Sequence, residues 1–121
     1  MALTALLGAV SNQGAAAGMT AFGGIITQYV DSGTTYRVHT FRGDGKFVVS
    51  SGEADVDYLI VAGGGSGAIG SGGAGGGGGG GGVRTGAGVT VDAASSPYTI
   101  TVGTGGAAKT STGNGNNGGN S

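Results

Sequence analysis

Gly65-x-Gly67-x-x-Gly70, directly after the apolar run 57–62, is spelled like a dinucleotide-binding turn. In that turn the glycines let backbone approach a pyrophosphate, which the N-terminus of a following helix then holds. Residues 71–82 cannot supply that helix, because each glycine costs about 1 kcal/mol relative to alanine in a helix interior. Residues 103–110 nearly spell a phosphate-binding loop, with Lys109 and Thr110 in place but Ala108 where its last glycine belongs. No helix follows there either, only Ser, Thr, Gly and Asn. No nucleotide site and no cofactor are expected from these spellings.

The remaining candidates are as sparse. His39 is the only histidine, and with no cysteine in the chain a metal would lack ligands; a solvated or interfacial ring is expected. Arg42-Gly43-Asp44 matches an integrin-binding tripeptide, but Gly45 after Asp44 reads as ordinary turn chemistry. Asp55 and Asp57 lie two apart on one strand face and are expected to keep a sheet edge soluble. No Ser/His/Asp set can be assembled, so catalysis is not expected, and catalytic, cofactor-binding and metal-binding residues are each read as none.

The elements that would carry these residues are mostly strands. Residues 25–30 form a β-branched run, with a turn signal at Asp31-Ser32-Gly33. Tyr36, Val38 and Thr40 alternate with Arg37, His39 and Phe41, which places the two sets on opposite faces. The segment 42–45 is expected to be a hairpin connection, with 46–50 returning as partner strand and 55–62 following as a third, giving an antiparallel meander. Further strands are expected at 88–91 and 97–102. The N-terminal stretch differs: Leu3, Leu6, Leu7 and Val10 fall on one helical face, while a helix this short is marginal alone, so 1–24 is expected to be a helical or extended segment that either docks onto something else or caps the domain's own core.

Glycine supplies 33 of the 121 residues, and Gly75–Gly82 is an unbroken run. Glycine buries no side chain and loses the most backbone freedom on folding. The tract is therefore either slack linker or a packing of bare backbones in the polyproline-II manner, three residues per turn. A linker would separate domains, yet this tract lies between strands that need each other. Glycine also recurs at every third position from Gly64 to Gly82. Collagen is excluded, since Pro97 is the only proline. With 37% apolar residues, many of them alanine, the chain has little to bury and is expected to gain stability from partners or self-association. Five basic and six acidic residues form no basic face for nucleic acid. No lysine or arginine precedes the first apolar stretch, so no export signal is expected, and no run approaches the ~18 apolar residues of a membrane span.

Four ordered blocks, Tyr36–Val49 with its Thr40-Phe41-Arg42-Gly43-Asp44-Gly45 centre, Asp57–Gly67, Gly81–Thr85 and Pro97–Gly106, resemble the glycine-rich domain of bacteriophage tail fibre and adhesin proteins. The resemblance spans about residues 34–108. It implies an all-β fold, a small antiparallel β-sandwich-like domain with polyglycine-II segments, whose loops at the leg ends contact host receptors in the adhesins of T-even-type phages. A domain of this kind also occurs in anaplastic lymphoma kinase receptors, inside long disulfide-bearing chains unlike this one. The resemblance implies a virion structural protein, a tail fibre or appendage, with 1–24 attaching to other virion proteins and 25–121 forming a glycine-rich β domain. That domain is expected to continue beyond residue 121 in the physical protein. A homo-trimer, a host surface receptor as partner, no catalysis, and a place on the virion after synthesis in the host cytoplasm are the matching expectations. A capsid or tail decoration protein without receptor contact, and a secreted glycine-rich structural protein, are the alternatives.

Overall fold

The computed structural model of the chain describes residues 4–10, by their strand path and pairing, and 18–121 in full. Eight strands follow one another: β1 (Thr4–Val10), β2 (Thr20–Phe22), β3 (Ile25–Asp31), β4 (Thr34–Phe41), β5 (Gly45–Ser51), β6 (Glu53–Val61), β7 (Val83–Asp92) and β8 (Tyr98–Ile100). Among the described residues there is no α-helix, and no helix long and apolar enough to cross a membrane. The strands build two antiparallel sheets, a five-stranded one ordered β3-β4-β1-β6-β7 and a three-stranded one ordered β2-β5-β8. The fold is all-β, as the sequence implies.

Two expectations change. Of the two forms open to the N-terminal stretch, Thr4–Val10 takes the extended one, running between β4 and β6 and pairing with both. A helical spacing of leucines does not decide the matter when two unpaired strand edges are available on either side; Leu3 lies outside the described residues. The second change concerns the meander. β4 and β5 are not hairpin partners, because β4 pairs with β3 and β1 while β5 pairs with β2 and β8. Residues 42–44 instead carry the chain from one sheet to the other. Alternation dictates which side chains face inward, not whether the neighbouring strand lies beside them or across the core.

The core lies between the sheets. Phe41, Val56 and Val91 from the larger sheet meet Ala21, Phe47 and Val49 from the smaller, with Met19 just before β2. Phe47 is the largest side chain fully withdrawn from water. His39 is also buried, which corrects the expectation of a solvated ring: it is 2% exposed and stands edge-on to Phe47, with ring centres 5.0 Å apart. Its Nδ1 lies 2.8 Å from the carbonyl of Gly23 and must therefore carry the proton, donating to that oxygen. Gly23 (φ 117°) belongs to the crossing from β2 to β3, where a Cβ would run into the carbonyl of Lys46. The crossing thus threads between strands, and His39 ties it down.

Burial holds the His39 pKa below its ordinary value of 6.5, with the Arg37 charge adding to this and the Gly23 hydrogen bond opposing it. As pH falls, the unfolded chain takes up this proton before the folded one does. The contribution to stability is thus complete above pH 6.5 and is lost as pH drops from there through the folded value. Denaturant midpoints should fall between pH 7.5 and 5, and His39→Gln should flatten that part of the profile.

Candidate functional site

β6 does not turn back at its end. It runs straight into glycine, and the chain returns to β7 only after twenty-one residues, 62–82. Beyond β8 a second excursion occupies the residues up to Ser121. Together they make four extended legs: a first outward leg (62–69), a second returning leg (75–82), a third outward leg (103–108) and a fourth returning leg (113–120).

The hydrogen bonds between the legs recur every third residue. Ala62, Gly65 and Ala68 donate to the carbonyls of Gly82, Gly79 and Gly76 on the second leg, at 2.8–2.9 Å. Gly63, Ser66 and Ile69 donate to Gly119, Asn116 and Gly113 on the fourth, at 2.9–3.0 Å. The carbonyl of Gly64 accepts from Gly106 on the third leg at 2.8 Å, and Gly119 closes the set by donating to Thr104 at 2.8 Å. A helix with three residues per turn and no internal hydrogen bonds presents three faces in this way. The first leg is therefore the hub, with a different neighbour on each face.

This packing explains the glycines position by position. On the second leg, a Cβ at Gly75, Gly78 or Gly81 would overlap the carbonyl of Ala68, Gly65 or Ala62. On the fourth leg, Gly115 and Gly118 meet the carbonyls of Ser66 and Gly63 in the same way. The unbroken glycine register visible in the sequence is thus not the obligatory one on the second leg. Its members Gly76, Gly79 and Gly82 supply the accepting carbonyls but have open space where a Cβ would lie. Polar side chains lock the legs midway and at the base. Ser66 Oγ accepts from the Asn116 amide at 2.8 Å, Asn116 Nδ2 donates to Ala107 O at 2.7 Å, and Ser121 Oγ bridges Val61 O and Gly103 N.

Both outer turns, 70–74 and 109–112, lie at the end of the legs away from the sheets, next to the Ile69–Gly113 bridge. They carry Ser71, Ala74, Lys109, Ser111 and Thr112 at the same end of the legs, residues the sequence did not single out as a group. Both turns follow from pairing between legs, a signal that composition does not carry.

The sequence candidates fall elsewhere. Gly65, Gly67 and Gly70 lie along the first leg and its turn, with no helix after them. Lys109 and Thr110 begin the second outer turn. Asp44 is engaged structurally, its Oδ1 accepting the Val102 amide at 2.8 Å where the chain leaves β8 for the third leg. Asp44→Ala would leave that N–H without its protein partner, and a loss of about 1 kcal/mol is expected in chemical unfolding. Asp55 and Asp57 are not on a sheet edge, because β6 runs between β1 and β7. Asp55 accepts from Thr90 Oγ1 at 2.7 Å, and Asp57 from the Gly88 amide at 2.9 Å, beside the bulge that shifts the β6–β7 register. They hold that irregular pairing together.

A cleft of about 280 Å³ lies between β6, β7 and β8, lined by Val56, Tyr58, Ile60, Val91, Tyr98 and Ile100 among others. Its lining side chains offer hydrocarbon, phenol and hydroxyl groups. The geometry as a whole defines a β-sandwich base bearing a side-chain-poor bundle of polyglycine-type helices.

Comparison with known proteins agrees at the level of class. The model of the family described as glycine-rich domain matches residues 39–121, more than two thirds of the chain. The chain belongs to that family. No curated protein and no solved structure matches it.

Proposed function

We propose that the chain is a structural component of a virus particle, a tail fibre or related appendage whose sandwich base attaches to the particle and whose outer turns meet the host surface. The observation that carries this reading is the placement of the turns 70–74 and 109–112 together at the end away from the sheets, on legs stiffened by hydrogen bonds at every third residue. Backbone and short polar side chains dominate there, with Lys109 the one cation of the legs. Such a tip suits recognition by short loops on a rigid stem, and leaves the chemistry to contact rather than to bond making.

The test uses purified chain as a competitor in host adsorption, alongside a variant in which 71–74 and 109–112 are exchanged for other Gly/Ser sequences. The wild-type chain should slow adsorption of the particles that carry it, and the exchanged variant should not, while both still bind particles. Particle binding without any effect on adsorption would favour a decoration role. Failure to bind particles at all would overturn the reading.

A further inference from the structure

β3 forms one edge of the five-stranded sheet, and among the described residues nothing pairs with its outer side. It is unlike the opposite edge. β7 carries Arg84, glycines at 86 and 88, and a bulge, all of which spoil it as a template for another strand. β3 runs in unbroken register with β4 from Ile25↔Thr40 to Asp31↔Thr34, and holds no proline, lysine, arginine or bulge. Its large side chains are open to water on both faces, Val30 at 67% and Ile25 at 55%, with Ile26 and Tyr29 close behind. Tyr29 stacks on Tyr36 at 5.1 Å, which extends a flat apolar platform onto β4. A regular edge of this kind, with large apolar side chains exposed and its one charge, Asp31, at the turn end, is what natural sheets avoid leaving unpaired.

We infer that this edge is an interface with a second copy of the chain, the two β3 strands pairing antiparallel across a two-fold axis centred on Gln28. The register follows from the hairpin. Ser32 (φ 50°) and Gly33 (φ 81°) form a two-residue mirror-image turn, so Asp31 and Thr34 close the ladder as a hydrogen-bonded pair. By alternation Ile26, Gln28 and Val30 then turn their N–H and C=O groups outward. Centring the axis on Gln28 sets Gln28 against its own counterpart, and Ile26 against Val30 in both directions, so each outward-facing residue meets another. The same register sets Asp31 opposite Ile25, and keeps the two aspartates of the copies apart. The strand is complementary to itself, which is the requirement of a two-fold interface. The three-fold assembly that the family resemblance implies would need a head-to-tail contact at a different surface. This interface does not depend on the virion reading above.

The test is the mass of the full chain in solution over a range of concentrations, together with amide exchange at Gln28. The wild type should be a dimer when concentrated, and Gln28 exchange should slow about tenfold or more on going from dilute to concentrated protein. Gln28→Pro removes only an outward N–H, which an edge strand tolerates, and should give a folded monomer. Val30→Lys should also give a monomer, and is the variant to read if the proline disturbs the hairpin. A wild type that stays monomeric at every concentration overturns the interface. So does a dimer or trimer whose mass and Gln28 exchange are unaffected by Val30→Lys.

Discussion

Gly78→Val should collapse the glycine legs, whereas Gly77→Ala and Gly80→Ala, its neighbours on the same leg, should leave them intact. A side chain at 78 enters the carbonyl of Gly65, which is backbone and cannot rotate away. The second leg would have to move off the first, breaking the Gly65–Gly79 hydrogen bond and loosening those at Ala62 and Ala68. Ordinary overpacking costs about 1–3 kcal/mol, and a clash with main chain belongs at or above the top of that range. At 77 and 80 a Cβ meets nothing within 4 Å. There alanine restricts the unfolded chain, and a gain of about 0.4–1 kcal/mol is expected wherever the backbone angles suit it. Chemical unfolding of the three variants, each followed by the dispersion of its amide spectrum, would separate them. Equal behaviour at 77, 78 and 80 would mean that the legs are not packed as described.

Phe47→Ala should destabilise the whole domain by about 3–5 kcal/mol, the usual loss for a buried aromatic. Phe47 is 1% exposed and touches both halves of the core, standing against His39 from the larger sheet and Tyr98 from its own. Few large side chains share the load. Among the described residues the buried apolar set is Met19, Ala21, Phe41, Phe47, Val49, Val56 and Val91. A loss of that size approaches the whole stability of an ordinary small domain, so the variant is expected to be largely unfolded at room temperature by circular dichroism. Phe22→Ala makes the matching control, since Phe22 is more than half exposed and its removal should shift the midpoint little.

The strands themselves were legible because alternation and turn residues are local. The Asp31–Thr34 turn and β3 to β6 stand close to where their residues predict. Partners were not legible. That β1 runs between β4 and β6, and that 42–44 crosses the core rather than closing a hairpin, depends on which edges are free after every other strand is placed. His39 illustrates the same limit: its alternation partners Arg37 and Phe41 reveal its face but not that this face is the buried one. In the glycine legs, composition and period three are plain in the sequence. Which of the three registers is the obligatory one is not, because glycine looks the same whether it avoids a carbonyl or faces water. The outer turns are hidden for a related reason, since Gly70–Ala74 and Lys109–Thr112 become neighbours only through pairing of the legs that carry them.

Side-by-side bare backbones, rather than slack chain, are the central claim, and residue-resolved amide exchange along the first leg tests it most directly. Ala62, Gly63, Gly65, Ser66, Ala68 and Ile69 donate to other legs and should exchange slowly, while Gly64 and Gly67, which donate to none, should exchange fast. The expected trace is two protected amides and one open one, repeated along the leg. Exchange at the free-peptide rate throughout 62–69, in a sample whose β4 and β6 amides are protected, would contradict it.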